Sequence, residues 1–281
     1  MKKILASLLL TFASVLVINP VNVFARDANG ATNTTLGADI SYPQCGKVVP
    51  INQAFGVVGV NGGIATTTNP CLSYQLLWAS RSLGGTAQDK IQLYVNTANP
   101  GGLNTASWPR SNTDSAGTTV QDPYGTCTGS DTTACAWQYG WNRSLEDVRD
   151  RFQTNANTAA INPLPSNYVW WLDVETGNTW KLSGSDFDMQ SNKAVLEGMT
   201  AYFESLQARV GLYSTAYQWG KIVGNSVNAN SNLVGRANWR PGGANLSTAK
   251  QACIAPPLTV NGSVVMTQFI SKNLDYNYSC I

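Results

Sequence analysis

The stretch YVWWLDVE at residues 168–175 carries the strongest strand signal in the chain, because aromatic and β-branched residues favour extended structure. It ends in two acidic residues, Asp173 and Glu175. Successive side chains of a strand point to opposite faces, so these carboxylates share one face with Trp171. A purely structural strand would not place two carboxylates on one side of its end, since a buried, unpaired charge costs several kcal/mol.

Outward from this stretch, strand and helix patterns alternate over most of the chain, which predicts a parallel α/β fold. The length suits a (β/α)8-type, TIM-like barrel with shortened or irregular helices. A doubly wound open sheet is the alternative, although residues 59–63 read GVNGG and do not match the fingerprint GxGxxG. The predicted strands are 36–41, 55–61, 91–95, 168–175, 210–214, 233–239 and 263–270, and the predicted helices are 71–82, 144–157, 192–207, 216–223 and 246–252.

Residues 100–140 interrupt the alternation after the third strand and are rich in Gly, Ser, Thr, Asp and Pro. A loop of this length in a compact domain is either a functional insertion or disordered. Two cysteines and several aromatic residues favour an ordered, disulfide-containing insertion. Ser144, with Asp147 three positions later, then predicts the start of the helix over 144–157.

The N-terminus matches the three-part pattern of a secretory signal peptide. A basic start precedes an apolar core over residues 4–18, and Ala25 stands before a cleavage site. This core is shorter than the about 20 residues that a membrane-spanning helix needs. We therefore expect 1–25 to be a signal peptide, 26–35 a disordered lead and 36–281 one barrel domain, secreted and without an integral membrane segment after cleavage.

Charge narrows the range of partners. Removal of Lys2 and Lys3 with the signal lowers the number of basic residues from 18 to 16, which equals the 16 acidic residues. A net charge near zero argues against nucleic acid as a partner. It also gives no electrostatic reason to bind an anionic membrane. We expect the protein to be a monomer.

Cysteine and histidine usage restricts the chemistry. Six cysteines in an exported chain predict three disulfides. Cys127 and Cys135 are expected to pair because they close a short loop. The pairs Cys45–Cys71 and Cys253–Cys280 are assigned by their order along the sequence. The chain has no histidine, so Ser-His-Asp and Cys-His catalysis and imidazole zinc sites are excluded. No metal and no cofactor is predicted, and acid–base chemistry falls to Asp, Glu, Lys, Tyr or Cys.

Acidic residues stand at three places where strands end: Asp39, the pair Asp173 and Glu175, and Asp275 just after the last predicted strand. In a parallel barrel these ends share one face. Two neighbouring carboxylates push one pKa upward, which is the division into acid and base that glycoside cleavage requires. A solvated strand end or calcium ligands are the alternatives.

Tryptophan content also points to a sugar ligand, because flat apolar rings with a polar handle suit binding sites. The chain has nine Trp. Trp171, beside the carboxylates, and Trp239 are candidate substrate contacts. Ordinary core packing is the alternative for the loop residues Trp108, Trp141, Trp180, Trp219 and Trp239.

Four short segments, in this order along the chain, resemble motifs of glycoside hydrolase family 25, the lysozyme-like muramidases. They read GADISYPQ at 37–44, LDVE at 172–175, VGLYS at 210–214, and TQF at 267–269 followed by LDYN at 274–277.

The resemblance implies a barrel that hydrolyses the β-1,4 bond between N-acetylmuramic acid and N-acetylglucosamine of peptidoglycan. By position, Glu175 would be the general acid, and Asp173 would orient or stabilise the oxocarbenium-like state or the acetamido group of the substrate. The same resemblance implies that four further residues lie on the substrate side of the site: Asp39, Asp275, Tyr213 and Gln268.

The chain departs from the family at the third strand, where a Tyr-His pair is usual and this sequence reads Tyr94-Val95-Asn96. Together with the insertion and the six cysteines, this indicates a divergent branch. The alternatives are a non-catalytic cell-wall or carbohydrate-binding protein on the same barrel, and a glycosidase for another polysaccharide.

Overall fold

The computed structural model describes residues 35–102 and 106–281. The predicted signal peptide over 1–25, and all but the last residue of the predicted lead over 26–35, lie outside these ranges. In the described part of the chain, no helix has the length and apolar character needed to cross a membrane.

Within the described ranges, eight strands close into one barrel in chain order, which confirms the predicted α/β barrel. Strands one to seven run parallel to their neighbours, whereas the eighth is antiparallel to the seventh and the first. The strands are β1 (Leu36–Ile40), β2 (Gly56–Gly59), β3 (Ile91–Asn96), β4 (Val169–Asp173), β5 (Arg209–Tyr213), β6 (Ala237–Gly243), β7 (Ser263–Ser271) and β8 (Leu274–Ser279).

The eighth strand shows that one prediction was wrong, because Asp275 does not follow the last strand. A tight turn through Lys272 and Asn273, both with positive φ, folds the chain back after β7. Asp275 therefore lies near the start of β8, where it pairs with Ile270 of β7 and with Asp39 of β1. Since β8 is antiparallel, its start lies at the same end of the barrel as the carboxyl ends of the other strands.

The helices lie outside the barrel, and the start of the second differs from the prediction. This helix begins after Thr132, whose hydroxyl accepts a hydrogen bond from the backbone amide of Cys135, so Ser144 is not its cap but a buried interior residue. The helices are α1 (Leu72–Ser80), α2 (Thr133–Glu146), α3 (Thr154–Thr158), α4 (Asp186–Ser205), α5 (Ala216–Ile222) and α6 (Leu246–Ala252), and a π-helical segment (Asp147–Gln153) joins α2 to α3.

The core has two parts on the two faces of the strands. Trp170 of β4 points outward and stacks on Phe203 of α4, with ring centroids 4.7 Å apart. Trp171 points inward and fills the barrel beside Trp239. Gly211 of β5 makes room for that ring, because a Cβ there would lie 2.2 Å from the Trp171 side chain. The alternation predicted for residues 168–175 is confirmed.

Three disulfides have the predicted connectivity: Cys45–Cys71, Cys127–Cys135 and Cys253–Cys280. The second lies in the insertion between β3 and α2 and fastens the insertion to the first turn of α2. The prediction of a disulfide-containing insertion after the third strand is therefore confirmed.

Candidate active site

A pocket of about 220 Å³ opens at the carboxyl end of the parallel strands. Among the predicted site residues, all except Trp171 line it. Its lining residues are Asp39, Tyr94, Asp173, Glu175, Tyr213, Trp239, Gln268 and Asp275.

Asp39 and Asp275 meet because β1 and β8 pair directly at these two positions. Gln268 donates from Nε2 to both carboxylate oxygens of Asp39, at 3.1 and 3.0 Å, and Asn277 donates from Nδ2 at 2.7 Å. Tyr213 donates its hydroxyl to Oε1 of Gln268 at 2.7 Å, which fixes the orientation of that amide. Asp39 is thus a buried carboxylate held by two side-chain amides.

The charge state of Asp39 follows from this environment. Burial, reinforced by the Asp275 carboxylate, raises the pKa of Asp39 to about 7, although the hydrogen bonds from Gln268 and Asn277 act in the opposite direction. Burial and the Glu175 carboxylate also raise the pKa of Asp275. At a given pH, the carboxyls of Asp39 and Asp275 are therefore protonated to a greater extent than solvent-exposed Asp side chains are.

Asp173 and Glu175 form the second carboxylate pair, on the same face of the chain as predicted. Asp173 is buried, and burial followed by the charges of Glu175 and Asp39 raises the pKa of Asp173 well above its ordinary value. Glu175 lies two residues beyond the end of β4 and is partly exposed in the pocket. The Asp173 carboxyl therefore binds a proton more tightly than a solvent-exposed Asp does.

The loop after β4 fixes the position of Glu175. The indole of Trp180 donates to the backbone carbonyl of Glu175 at 3.1 Å. The side chain of Gln218, in the first turn of α5, donates to Oε1 of Glu175 at 3.3 Å and accepts from the backbone amide of Thr176 at 2.6 Å. Gln218 was not among the predicted site residues, because it lies 43 residues from Glu175 along the chain.

Tyr94 is a second pocket residue that the predictions missed. It lies near the carboxyl end of β3, pairs with Trp171 of β4 and lines the pocket with the carboxylates. A Cβ on Gly59 would lie 2.6 Å from the Tyr94 ring, so the glycine makes room for the ring. The sequence carried a signal for it, since Tyr94 stands near the end of the predicted strand over 91–95, at the position of the tyrosine in the family's Tyr-His pair.

The tryptophan predictions have mixed outcomes. Trp239 lines the pocket, with its ring centroid 4.4 Å from that of Tyr213. Trp171 does not, because it is 1% exposed and donates its indole N–H to Gln92 inside the barrel. Its assignment as a substrate contact was therefore wrong. Of the tryptophans predicted to lie in loops, Trp141, Trp219 and Trp239 instead lie in α2, α5 and β6. Trp108, Trp180 and Trp219 are buried, which favours the packing alternative for them.

A larger groove, of about 810 Å³, lies beside α5 on the side of Trp219 and Arg240 and contains none of the predicted site residues. We place the candidate active site in the smaller pocket, because the carboxylates with perturbed pKa values converge there. In the described part of the chain, no group of three or more His, Cys, Asp or Glu side chains is arranged to hold a metal ion.

Together, the fold and the pocket define an α/β-barrel protein with clustered carboxylates at the carboxyl ends of its strands. Residues 143–235 match the family model described as Lysozyme-like protein 1. Over 75 residues the chain is 35% identical to the Probable GH family 25 lysozyme 4 of Dictyostelium discoideum, a match covering 26% of this chain and 32% of the relative. These matches confirm the predicted resemblance to glycoside hydrolase family 25 over part of the chain.

Two solved structures are similar to this chain over most of its length, at low identity. A family GH25 lysozyme from Aspergillus fumigatus is 12% identical, with 87% of this chain and 93% of that chain covered and a TM-score of 0.49. The wild-type modular Cpl-1 endolysin complexed with a peptidoglycan analogue is 15% identical, with 88% and 54% covered and a TM-score of 0.45. The chain spans 32% of the length of the curated Dictyostelium relative, so its own activity and substrate are treated below as a proposal.

Proposed function

We propose that this protein is a secreted glycosidase that hydrolyses the β-1,4 glycan bond of peptidoglycan with its carboxylates. The observation that carries the proposal is the convergence of Asp39, Asp173, Glu175 and Asp275 on one pocket. Similarity of part of the chain to a family 25 lysozyme supports the reaction class.

In the proposed reaction, Glu175 is the general acid because its carboxyl is the partly exposed member of the pair. It donates a proton to the glycosidic oxygen as the bond from that oxygen to the anomeric carbon breaks. Positive charge develops on the sugar, and the acetamido group that Asp173 orients, or Asp173 itself once it has lost its proton, stabilises this charge. A water molecule then adds to the anomeric carbon, and its proton returns to Glu175.

The remaining pocket residues would bind and orient the sugar. Asp39 and Asp275 line one wall, and the ring of Trp239 offers an apolar surface beside Tyr213. Gln268 is held between Tyr213 and Asp39, so its position is fixed before substrate arrives. Such preorganisation favours catalysis, because the site need not rearrange during the reaction.

Secretion and domain limits belong to the same proposal. Three disulfides suit an oxidising compartment, which agrees with a cleaved signal peptide over residues 1–25. We propose that residues 36–281 form the mature catalytic domain and that 26–35 is a lead. Mass spectrometry of the exported protein would test this, and an N-terminus other than Arg26 would contradict the predicted cleavage site.

The decisive experiment measures new reducing ends released from purified peptidoglycan by the wild type and by Glu175→Gln. Glu204→Gln serves as the matched control, because Glu204 is an exposed residue of α4 whose ion pair with Arg236 lies outside the pocket. We expect full activity in the control and at least a hundred-fold loss in Glu175→Gln, the low end of the range for removal of a general acid.

An unchanged melting temperature in Glu175→Gln would show that the loss is chemical. Full activity in that variant would contradict the role of Glu175. If the wild type binds the wall but releases nothing, the protein is a carbohydrate-binding protein on the same barrel. If it neither binds nor cleaves the wall, another polysaccharide becomes the substrate to test.

A further inference from the structure

The exposed aromatic side chains are concentrated at one end of the barrel. Among the residues that the structure describes, the large aromatic side chains classed as exposed are Tyr42 at 45%, Phe187 at 48% and Tyr217 at 70%. Each follows the carboxyl end of a parallel strand, namely β1, β4 and β5. Scattered exposed aliphatic residues need no explanation, but aromatic rings gathered around the mouth of the candidate active site do.

The loops that carry Tyr42 and Tyr217 lie on opposite sides of the barrel mouth, which is the end of the barrel at which the candidate active site opens. In a closed barrel of eight strands in chain order, β1 and β5 are four strands apart and face each other. Tyr42 follows the end of β1 by two residues, and Tyr217 follows the end of β5 by four. From the spacing and tilt of strands, the barrel is about 15 Å across. The carboxylate pocket opens at this end of the barrel, between the loop after β1 and the loop after β5 that carry these residues.

The turn after β1 holds Tyr42 in place. It starts the 3₁₀ turn Tyr42–Gln44, in which the backbone amide of Ser41 donates to the side chain of Gln44 at 3.0 Å. The next residue, Cys45, is bridged to Cys71 at the start of α1. The Tyr42 ring lies against Gly63, where a Cβ would come within 2.5 Å of it. The ring is therefore supported and not free to collapse into the pocket.

On the opposite side, the first turn of α5 holds Tyr217. The hydroxyl of Thr215 caps this helix by accepting from the backbone amide of Gln218 at 3.0 Å. The side chain of Gln218 in turn reaches Glu175, so Tyr217 is the immediate neighbour of a residue that contacts the proposed acid. Lys221, one turn later, has its Nζ 5.7 Å from the ring centroid.

Phe187 differs from the two tyrosines because a lysine ammonium lies closer to its ring than Lys221 lies to the ring of Tyr217, and two carboxylates hold that ammonium there. Nζ of Lys181 lies 4.2 Å from the centroid of the Phe187 ring and also pairs with Asp131 and Asp188. A ring that carries an ammonium group is less available to an uncharged ligand. Tyr42 and Tyr217 are therefore the stronger candidates for ligand contact.

We propose that Tyr42 and Tyr217 are stacking platforms for sugar rings on opposite sides of the carboxylate pocket. The inference rests on the proposed function and makes it more specific: the ligand is a long β-1,4-linked polysaccharide that crosses the barrel mouth from the β1 side to the β5 side. The flat apolar face of a pyranose ring packs on an aromatic ring, while its hydroxyl groups stay in water. A short ligand fills the pocket without reaching either platform.

The test measures binding without cleavage, in the Glu175→Gln background, using calorimetry with a β-1,4-linked N-acetylglucosamine hexamer and dimer, and co-sedimentation with purified peptidoglycan. We expect Tyr42→Ala and Tyr217→Ala each to weaken hexamer binding roughly two- to ten-fold, the size of one aromatic contact, and to leave dimer binding unchanged. Phe substitutions should retain the affinity. Leu164→Ala is the matched control, because Leu164 is 56% exposed at the opposite end of the barrel, before β4.

Several results would overturn the platforms. They are equal hexamer affinity in both Ala variants and Leu164→Ala, equal loss for hexamer and dimer, or no binding of hexamer and peptidoglycan at all. The hydrolase proposal fails separately. If the wild-type protein releases no reducing ends but binds the hexamer through Tyr42 and Tyr217, the platform proposal holds and the protein is a carbohydrate-binding protein. If cleavage depends on Glu175 but hexamer binding does not depend on either tyrosine, the hydrolase proposal holds and the platform proposal is wrong.

Discussion

Nε2 of Gln218 lies 3.3 Å from Oε1 of Glu175, and Oε1 of the same glutamine accepts hydrogen bonds from the backbone amide and the hydroxyl of Thr176. A backbone amide can only donate, so the oxygen of the Gln218 amide must face Thr176 and its nitrogen must face Glu175. The amide is therefore a fixed donor to the proposed general acid.

Replacement of this donor should alter activity without unfolding the protein. Gln218→Ala removes a hydrogen bond that positions the Glu175 carboxyl, and we expect kcat/KM on peptidoglycan to fall about ten-fold. Gln218→Glu places a second carboxylate against Glu175, which favours the protonated acid, so the alkaline limb of the pH–rate profile should move to higher pH. Profiles that superimpose for the wild type and Gln218→Glu would show that Gln218 only connects α5 to the loop after β4.

Several buried carboxyls should make the fold less stable as the pH rises. Burial raises the pKa of Asp39 and of Asp147 to about 7 and raises the pKa of Asp173 well above its ordinary value. An unfolded Asp titrates near pH 4, so between about pH 4 and 7 the native state binds more protons than the unfolded state. The free energy of unfolding must then fall across this window.

Asp173→Asn isolates one of these groups, because the amide keeps the shape but cannot ionise. We expect this variant to be more stable than the wild type at pH 8 by about 0.5–2 kcal/mol, the usual range for stabilising substitutions, at the cost of activity. The difference should shrink at pH 4. Urea unfolding at both pH values measures it, and a variant less stable than the wild type at pH 8 would mean that the native state stabilises the ionised form of Asp173.

Residues 168–175 show why much of the barrel could be predicted. The aromatic run, the alternation and the paired carboxylates are local features, and the strand, its two faces and the location of Asp173 and Glu175 follow from them. The pocket-lining Gln268 and Tyr213 were located by short motifs. In each case the information lies within a few residues of the feature it describes.

Predictions failed where the determining contact is distant or the local signal is atypical. The hairpin before β8 turns through Lys272 and Asn273, at φ 51° and 60°, without the glycine that normally marks such a turn. The strand predicted over 233–239 lies too early, since β6 runs over Ala237–Gly243 and accommodates Pro241, a residue atypical of strands, at an irregularity in register. Ser144 matched a capping pattern in the interior of α2.

The disulfide of the insertion should stabilise the start of α2. Cys127 and Cys135 close a loop with a sequence separation of 8, and loop-closure entropy assigns such a bridge about 2–3 kcal/mol. We expect the double variant Cys127→Ala, Cys135→Ala to lose this much in urea unfolding. Amide hydrogen exchange should rise in the first turn of α2, where Cys135 donates to Thr132. Unchanged exchange there would mean that packing alone holds the insertion.

Two glycines allow α2 and α4 to approach closely, and this contact should tolerate no side chain. A Cβ on Gly198 of α4 would lie 2.0 Å from the backbone oxygen of Trp137, and one on Gly140 of α2 would lie 2.0 Å from that of Val195. The neighbours are rigid helix backbone, so Gly198→Ala must push the helices apart and should cost about 3 kcal/mol of unfolding free energy, at the upper end for over-packing.

Gly220→Ala is the matched control within α5, because a Cβ there meets nothing within 4 Å and removal of a helical glycine should add about 0.5–1 kcal/mol. Urea unfolding of both variants should therefore give opposite signs. Equal effects would show that helix propensity, and not the contact between the two backbones, sets the cost at Gly198.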